Sequence, residues 1–127
     1  MALIDVDQVS KTFPRPDGKG RFSVLQEVSL SVAAGEVVAL LGRSGSGKST
    51  LTKMVPRLYS PSSGRILIDH YDIDKVELYS LRRQIGIVPQ DPFLFSGTIA
   101  ANIGYGRPGA SMADIMAAAR AANAHNF

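Results

Sequence analysis

Residues 42–50 read Gly-Arg-Ser-Gly-Ser-Gly-Lys-Ser-Thr, directly after the apolar run Val37 to Leu41. Three glycines, Gly42, Gly45 and Gly47, leave the backbone free to turn successive N–H groups into one concavity. A helix starting at about Lys48 adds unpaired N–H groups and the positive end of its dipole, a setting that favours anions. Lys48 is then a cation whose counter-charge is a ligand phosphate rather than a protein carboxylate. The Ser49 hydroxyl is a hard oxygen donor suited to Mg²⁺, and Thr50 offers a further hydrogen bond to a phosphate. Gly42, Gly47, Lys48 and Ser49 stand at the spacing G-x-x-x-x-G-K-[ST] of a phosphate-binding P-loop. A plain Gly/Ser linker would reach that spacing by chance on the order of once in a few hundred chains of this length. Binding of a nucleoside triphosphate is the expected chemistry, and by itself it leaves kinases, small GTPases, helicases and transport ATPases open.

The elements that must position this loop follow from the pattern around it. "LIDVDQVSKTF" and "RFSVLQEVSLSV" alternate around the Pro/Gly-rich "PRPDGKG", which predicts an antiparallel hairpin. "GEVVALLG" and "IGIV" are continuously apolar, as expected of strands buried on both faces of a mainly parallel sheet. A helix is expected from Lys48 until Pro56, which lacks the N–H that a helix needs. "RILID" reads as a short strand. "DKVELYSLRR" reads as a helix with Asp74 at its N-cap and Glu77 three residues on. "PQDPFLFSG" reads as a loop, and "SMADIMAAARAANA" as a helix opened by Ser111 and Asp114 at capping-box spacing. The expected class is α/β with an antiparallel β appendage.

Bulk properties agree with one globular domain. The 127 residues are 45% apolar and 20% charged, with no cysteine and a net charge of +3. Disulfide and thiolate chemistry are thereby excluded. No apolar run approaches the roughly 18 residues of a membrane helix, and no basic leader followed by an apolar core opens the chain, so no signal peptide is expected. The largest basic cluster, Lys19 to Arg21, is interrupted and short, and no nucleic-acid partner is expected. His70 and His125 are isolated, so no metal cluster is expected and His70 has no assigned role.

The stretches "VLQEVSLSVAAGEVVALLGRSGSGKSTLTK", "SGRILIDHYDI" and "LRRQIGIVPQDPFLFSGTIAANI" together resemble the nucleotide-binding domain of ATP-binding cassette (ABC) transporters of the exporter branch. The resemblance runs from about Ile4 to Phe127, and the wording looks most like exporters that secrete toxins or peptides. It implies a P-loop NTPase (RecA-like) core with a mainly parallel sheet, an N-terminal antiparallel β-subdomain at 1–35, a P-loop core to the Q-loop at 36–90 and the start of a helical subdomain at 91–127. It implies ATP and Mg²⁺ as ligands, with nucleotide contacts from Phe13, Val24, Arg43, Ser44 and Ser46 as well as the loop residues named above. Phe13 matches the aromatic that stacks on adenine, where tyrosine is usual, with Phe22 as the substitute if the "PRPDGKG" insertion shifts the alignment. A core role in its strand is the other reading of Phe13. Gln90 matches the Q-loop glutamine, a contact for Mg²⁺ and the attacking water and a relay to a membrane domain. Phe93, Leu94 and Phe95 either fold inward or face the transmembrane domain, and the second is favoured.

The resemblance also implies segments that are not found: a signature loop, an apolar strand ending in Asp and a catalytic Glu, and a switch histidine. The chain is therefore expected to be the first half of a longer domain, without catalytic residues beyond Lys48 and Gln90, and inactive alone. Full activity implies a transmembrane domain, a second nucleotide-binding domain (the same chain or a different one) and a place on the cytoplasmic face of the inner membrane. A soluble cassette ATPase without a membrane partner, or another P-loop NTPase, is the alternative. Cargo is not encoded in these residues.

Overall fold

The structure, a computed structural model, describes residues 2–126. They form two compact units, one ending at Gly86 and one starting at Ile87. In the first unit the chain order is β1 (Ala2–Pro14), β2 (Arg21–Ala33), α1 (Lys48–Met54), β3 (Ser63–Ile68), β4 (Tyr71–Asp72) and α2 (Leu78–Arg83). The second unit holds α3 (Ile99–Gly104) and α4 (Met112–Ala121).

β1 and β2 form the expected hairpin, with Phe13 opposite Phe22 and Val6 opposite Leu30. The sheet continues through β3 to β4 in the order β2-β1-β3-β4, and every pairing is antiparallel. Two irregularities shape it. Gln8 and Glu27 have φ of 49° and 47°, and the register slips between Val6 and Val9. A bulge adds one residue, so Val6 and Val9, three apart, both turn inward at 2% and 0% exposure. Serines cover the backbone that the bulges release: Gln8 N–H donates to Ser29 Oγ at 3.0 Å and Glu27 N–H to Ser10 Oγ at 2.9 Å. Gly64 crosses β1 so closely that a Cβ would lie 2.6 Å from the Asp7 carbonyl oxygen, and its φ is +80°. The β3–β4 turn at Asp69 and His70 has positive φ at both residues, 48° and 67°, the pattern of a tight hairpin turn.

One core joins sheet and helices: Val6, Val9, Leu25, Leu51, Met54, Ile66, Ile73 and Leu81. Helix α1 contributes Leu51 and Met54 and ends before Pro56, as expected. The turn that follows the helix is held by Arg82, whose Nε donates to Pro56 O at 2.9 Å and whose Nη2 donates to Arg57 O at 3.0 Å.

Three expectations are corrected. The run 37–41 is not a buried strand: it has no regular structure, and Val37 and Leu41 are 96% and 92% exposed. "IGIV" is likewise irregular, with Ile85 half-buried and Ile87 and Val88 exposed. A central parallel strand draws its hydrogen bonds from flanking strands, and among the described residues none pairs with either run. Among the described residues the sheet is antiparallel, and the expected mainly parallel core is not formed among them. The third correction concerns α2, which starts at Leu78 with Glu77 as its N-cap. The Glu77 carboxylate accepts from Tyr79 N–H at 2.9 Å and Ser80 N–H at 2.6 Å. Asp74 is instead drawn to Arg57 Nε at 3.5 Å.

In the second unit α4 carries the expected capping box of Ser111 and Asp114. Helix α3 falls where the sequence pattern predicts no helix. Thr98 caps it, accepting from Ala101 N–H at 3.0 Å, and Gly104 gives the close approach to α4, where a Cβ would lie 3.3 Å from Ile115 Cδ1.

Candidate functional site

The glycine-rich loop lies between the irregular run 37–41 and α1. Gly45 and Gly47 take φ of +80° and +92°, which an L side chain rarely adopts. Gly47 is the helix N-cap and has no side-chain cap bond. It is buried against β2: a Cβ there would stand 2.7 Å from Leu25 Cδ2 and 3.0 Å from the Val24 carbonyl oxygen. Half-buried Val24 thus seats the start of α1. At Gly42 a Cβ would lie 2.8 Å from Ser46 Oγ, so a side chain there would make the Ser46 hydroxyl turn aside.

Lys48 folds back over this loop. Its ammonium donates to Gly42 O at 2.7 Å, Arg43 O at 2.8 Å and Ser46 Oγ at 3.1 Å. Among the described residues no carboxylate forms an ion pair with it. Ser46 N–H bonds Arg43 O at 3.2 Å, and the first backbone bond of the helix runs from Leu51 N–H to Gly47 O at 2.9 Å. The earlier N–H groups, of Lys48, Ser49 and Thr50, have no acceptor among the described residues. Arg43, Ser44, Ser46 and Ser49 are exposed and Thr50 is half-buried. A positive charge, outward N–H groups and hydroxyls therefore share one short turn, an arrangement that can take an anion with several oxygens. The Ser49 hydroxyl makes no hydrogen bond among the described residues, so one oxygen is free for a cation that keeps its other ligands from water and phosphate.

Phe13 is half-buried in an aromatic group. Its ring lies 6.1 Å from Phe22, tilted by 34°, and 5.4 Å from Tyr59, edge to face. Lys11 Nζ stands 5.1 Å from the centre of the Phe13 ring. Tyr59 was not singled out from the sequence, because nothing in its spacing links it to β1.

The remaining predicted site residues belong to the second unit. Gln90 is exposed and without regular structure. Phe93 and Leu94 are 76% and 77% exposed, and Phe95 is partly covered by stacking on Tyr105 at 4.3 Å. Asn102 ties this loop down: it accepts from Phe95 N–H at 2.8 Å and donates to Phe95 O at 2.9 Å and to Thr98 O at 3.0 Å. Thr98 ahead of an apolar turn was the signal that could have revealed α3 and, with it, Asn102.

Two carboxylates are perturbed, both at helix starts. Backbone N–H bonds from Ser80 and then Tyr79 hold Glu77 below the usual carboxylate range. The Ser111 hydroxyl and then its N–H do the same for Asp114.

A family model described as ABC transporter matches residues 25–127. The chain belongs to the ABC transporter family. It is 55% identical over 104 residues to an ATP-dependent lipid A-core flippase of Syntrophus aciditrophicus, covering 82% of this chain and 17% of that protein. It is 50% identical over 124 residues to the cyclolysin secretion/processing ATP-binding protein of Bordetella pertussis, covering 98% and 17%. Among solved structures, a bacterial Atm1-family ABC exporter with ATP bound superposes with a TM-score of 0.85 at 46% identity, over 98% of this chain and 21% of that one. The chain thus spans about a fifth of the length of these relatives, and its fold is that of the ABC ATPase with its antiparallel N-terminal sheet. No described helix is long and apolar enough to cross a membrane.

Proposed function

We propose that this chain is the part of an ABC exporter's nucleotide-binding domain that holds ATP, and that the longer protein hydrolyses ATP to drive export across a membrane. The observation that carries this reading is the Lys48 ammonium, bonded to three oxygens of its own glycine-rich loop with no carboxylate partner among the described residues. Each is a neutral oxygen that a charged phosphate oxygen outcompetes. In this reading the N–H groups from Gly45 to Thr50 line the phosphates, with Gly42, Arg43, Ser44 and Ser46 shaping the loop. Phe13 and Val24 meet the base and sugar. Ser49, and by the family resemblance Gln90, would hold Mg²⁺, which would neutralise charge developing on the phosphates.

The segments 37–41 and 85–88 are proposed as strands of the parallel sheet of the longer domain. The parts 1–35, 36–90 and 91–127 are proposed as its β-subdomain, its core and the start of its helical subdomain. We assign no general base within the chain, so hydrolysis belongs to the longer protein and the piece alone is inactive. Exposed Phe93 and Leu94, with Phe95, are proposed to meet the transmembrane domain at the cytoplasmic face of the inner membrane, and a second nucleotide-binding domain to close the site. The names of the relatives, a flippase, a secretion protein and an exporter, support transport over a soluble ATPase.

Photo-crosslinking with azido-ATP and Mg²⁺ tests the reading. Lys48→Ala is expected to lower labelling by about tenfold or more, the size of a lost charge-assisted hydrogen bond. Equal labelling of both proteins overturns it.

A further inference from the structure

Tyr59 stands just past the end of α1. Leu58 N–H donates to Lys53 O at 2.9 Å and Tyr59 N–H reaches the same oxygen at 3.4 Å. The tyrosine is thus carried by the helix whose first residue is Lys48. Its ring meets Phe13 edge to face at 5.4 Å and 80°. Lys11 Nζ, held by Ser60 O at 2.6 Å, lies 5.1 Å from the Phe13 ring centre and 5.9 Å from that of Tyr59. Lys53 Nζ lies 6.0 Å from the Tyr59 ring. Phe22, opposite Phe13, precedes Val24 by two residues, about 7 Å along the strand, and Val24 is the residue against which Gly47 packs. Helix α1 therefore has the glycine-rich loop at one end and a brace for Phe13 at the other.

We propose that Tyr59 is a positioning residue for nucleobase stacking on Phe13: it fixes the plane of that ring relative to the helix that starts in the phosphate loop. The proposal rests on the nucleotide-binding reading above. The electron-rich face of one ring and the positive edge of the other give the pair a preferred angle that an aliphatic side chain does not reproduce. Tyr59 then contributes to affinity for ligands that have a base and not for a bare chain of phosphates.

Calorimetric titration of the full chain in EDTA, with ATP and separately with inorganic tripolyphosphate, separates these contributions. Tyr59→Leu is expected to weaken ATP binding about three- to tenfold, the worth of one aromatic pair. It is expected to leave tripolyphosphate within about twofold of wild type. Tyr59→Phe, which keeps the ring, restores ATP affinity, and Phe13→Leu reproduces the selective loss. Unchanged ATP affinity in Tyr59→Leu, equal losses for the two ligands, or failure of Tyr59→Phe to restore binding each overturn the proposal. If Lys48→Ala leaves both ligands unaffected, the nucleotide-binding reading itself falls, an outcome distinct from a Tyr59 failure.

Discussion

Strand β1 and the run Val37 to Leu41 are both apolar in pattern, yet they end in opposite places. Val6 and Val9 of β1 are 2% and 0% exposed, while Val37 and Leu41 are 96% and 92% exposed. β1 has β2 on one edge and β3 on the other, so its backbone bonds are made and its side chains reach Leu51 and Met54 in one core. The run 37–41 has no strand beside it among the described residues. Apolar content supplies a reason to be buried, but a strand also needs neighbours for its N–H and C=O groups. β1 finds β2 across a short turn and β3 more than 50 residues further on, and both lie within the described chain. The partners of a central parallel strand come through long crossovers.

The sharpest way to break this comparison is to remove equal volume from each side of it. Met54→Ala is expected to lower the stability of the chain by about 2–5 kcal/mol in urea titration, since a fully buried side chain leaves a cavity. Leu41→Ala is expected to change it by less than about 0.5 kcal/mol. Equal costs would mean that the run 37–41 is packed after all.

Glycines sharpen the same contrast at a smaller scale. Gly64→Ala combines a φ of +80° with a Cβ 2.6 Å from the Asp7 carbonyl oxygen, and a loss of about 2–3 kcal/mol is expected. Gly45→Ala has the same φ but open space around it, so only the backbone strain of about 1 kcal/mol remains. Thermal melts of the two variants should therefore differ, and identical shifts would show that β1 yields around Gly64.

The smallest effect is in the helix caps. Glu77 and Asp114 have pKa values held down in the folded chain by bonds to N–H and hydroxyl groups. Their contribution is present above the ordinary carboxylate pKa of about 4 and is lost as pH falls through the lowered folded value. Helicity followed by circular dichroism is expected to drop on acidification in wild type. The drop should be shallower in the double variant Glu77→Gln and Asp114→Asn, and superimposable curves would remove the caps from the account.

The sequence by itself determined the glycine-rich loop, the hairpin, α1 with its stop at Pro56 and the Ser111 cap of α4. Each of these depends on residues within a few positions of one another or on local backbone freedom. The family, too, was readable from ordered motifs along nearly the whole chain. Tertiary structure alone decided what depends on distant partners. Arg57, past the end of α1, pairs with Asp74, and Glu77 rather than Asp74 caps α2. The bulge at Gln8 turns both Val6 and Val9 inward, and Tyr59, 46 positions from Phe13, comes to rest against its ring. Strand status for 37–41 and 85–88 was not decided by their composition, because burial requires something to be buried against.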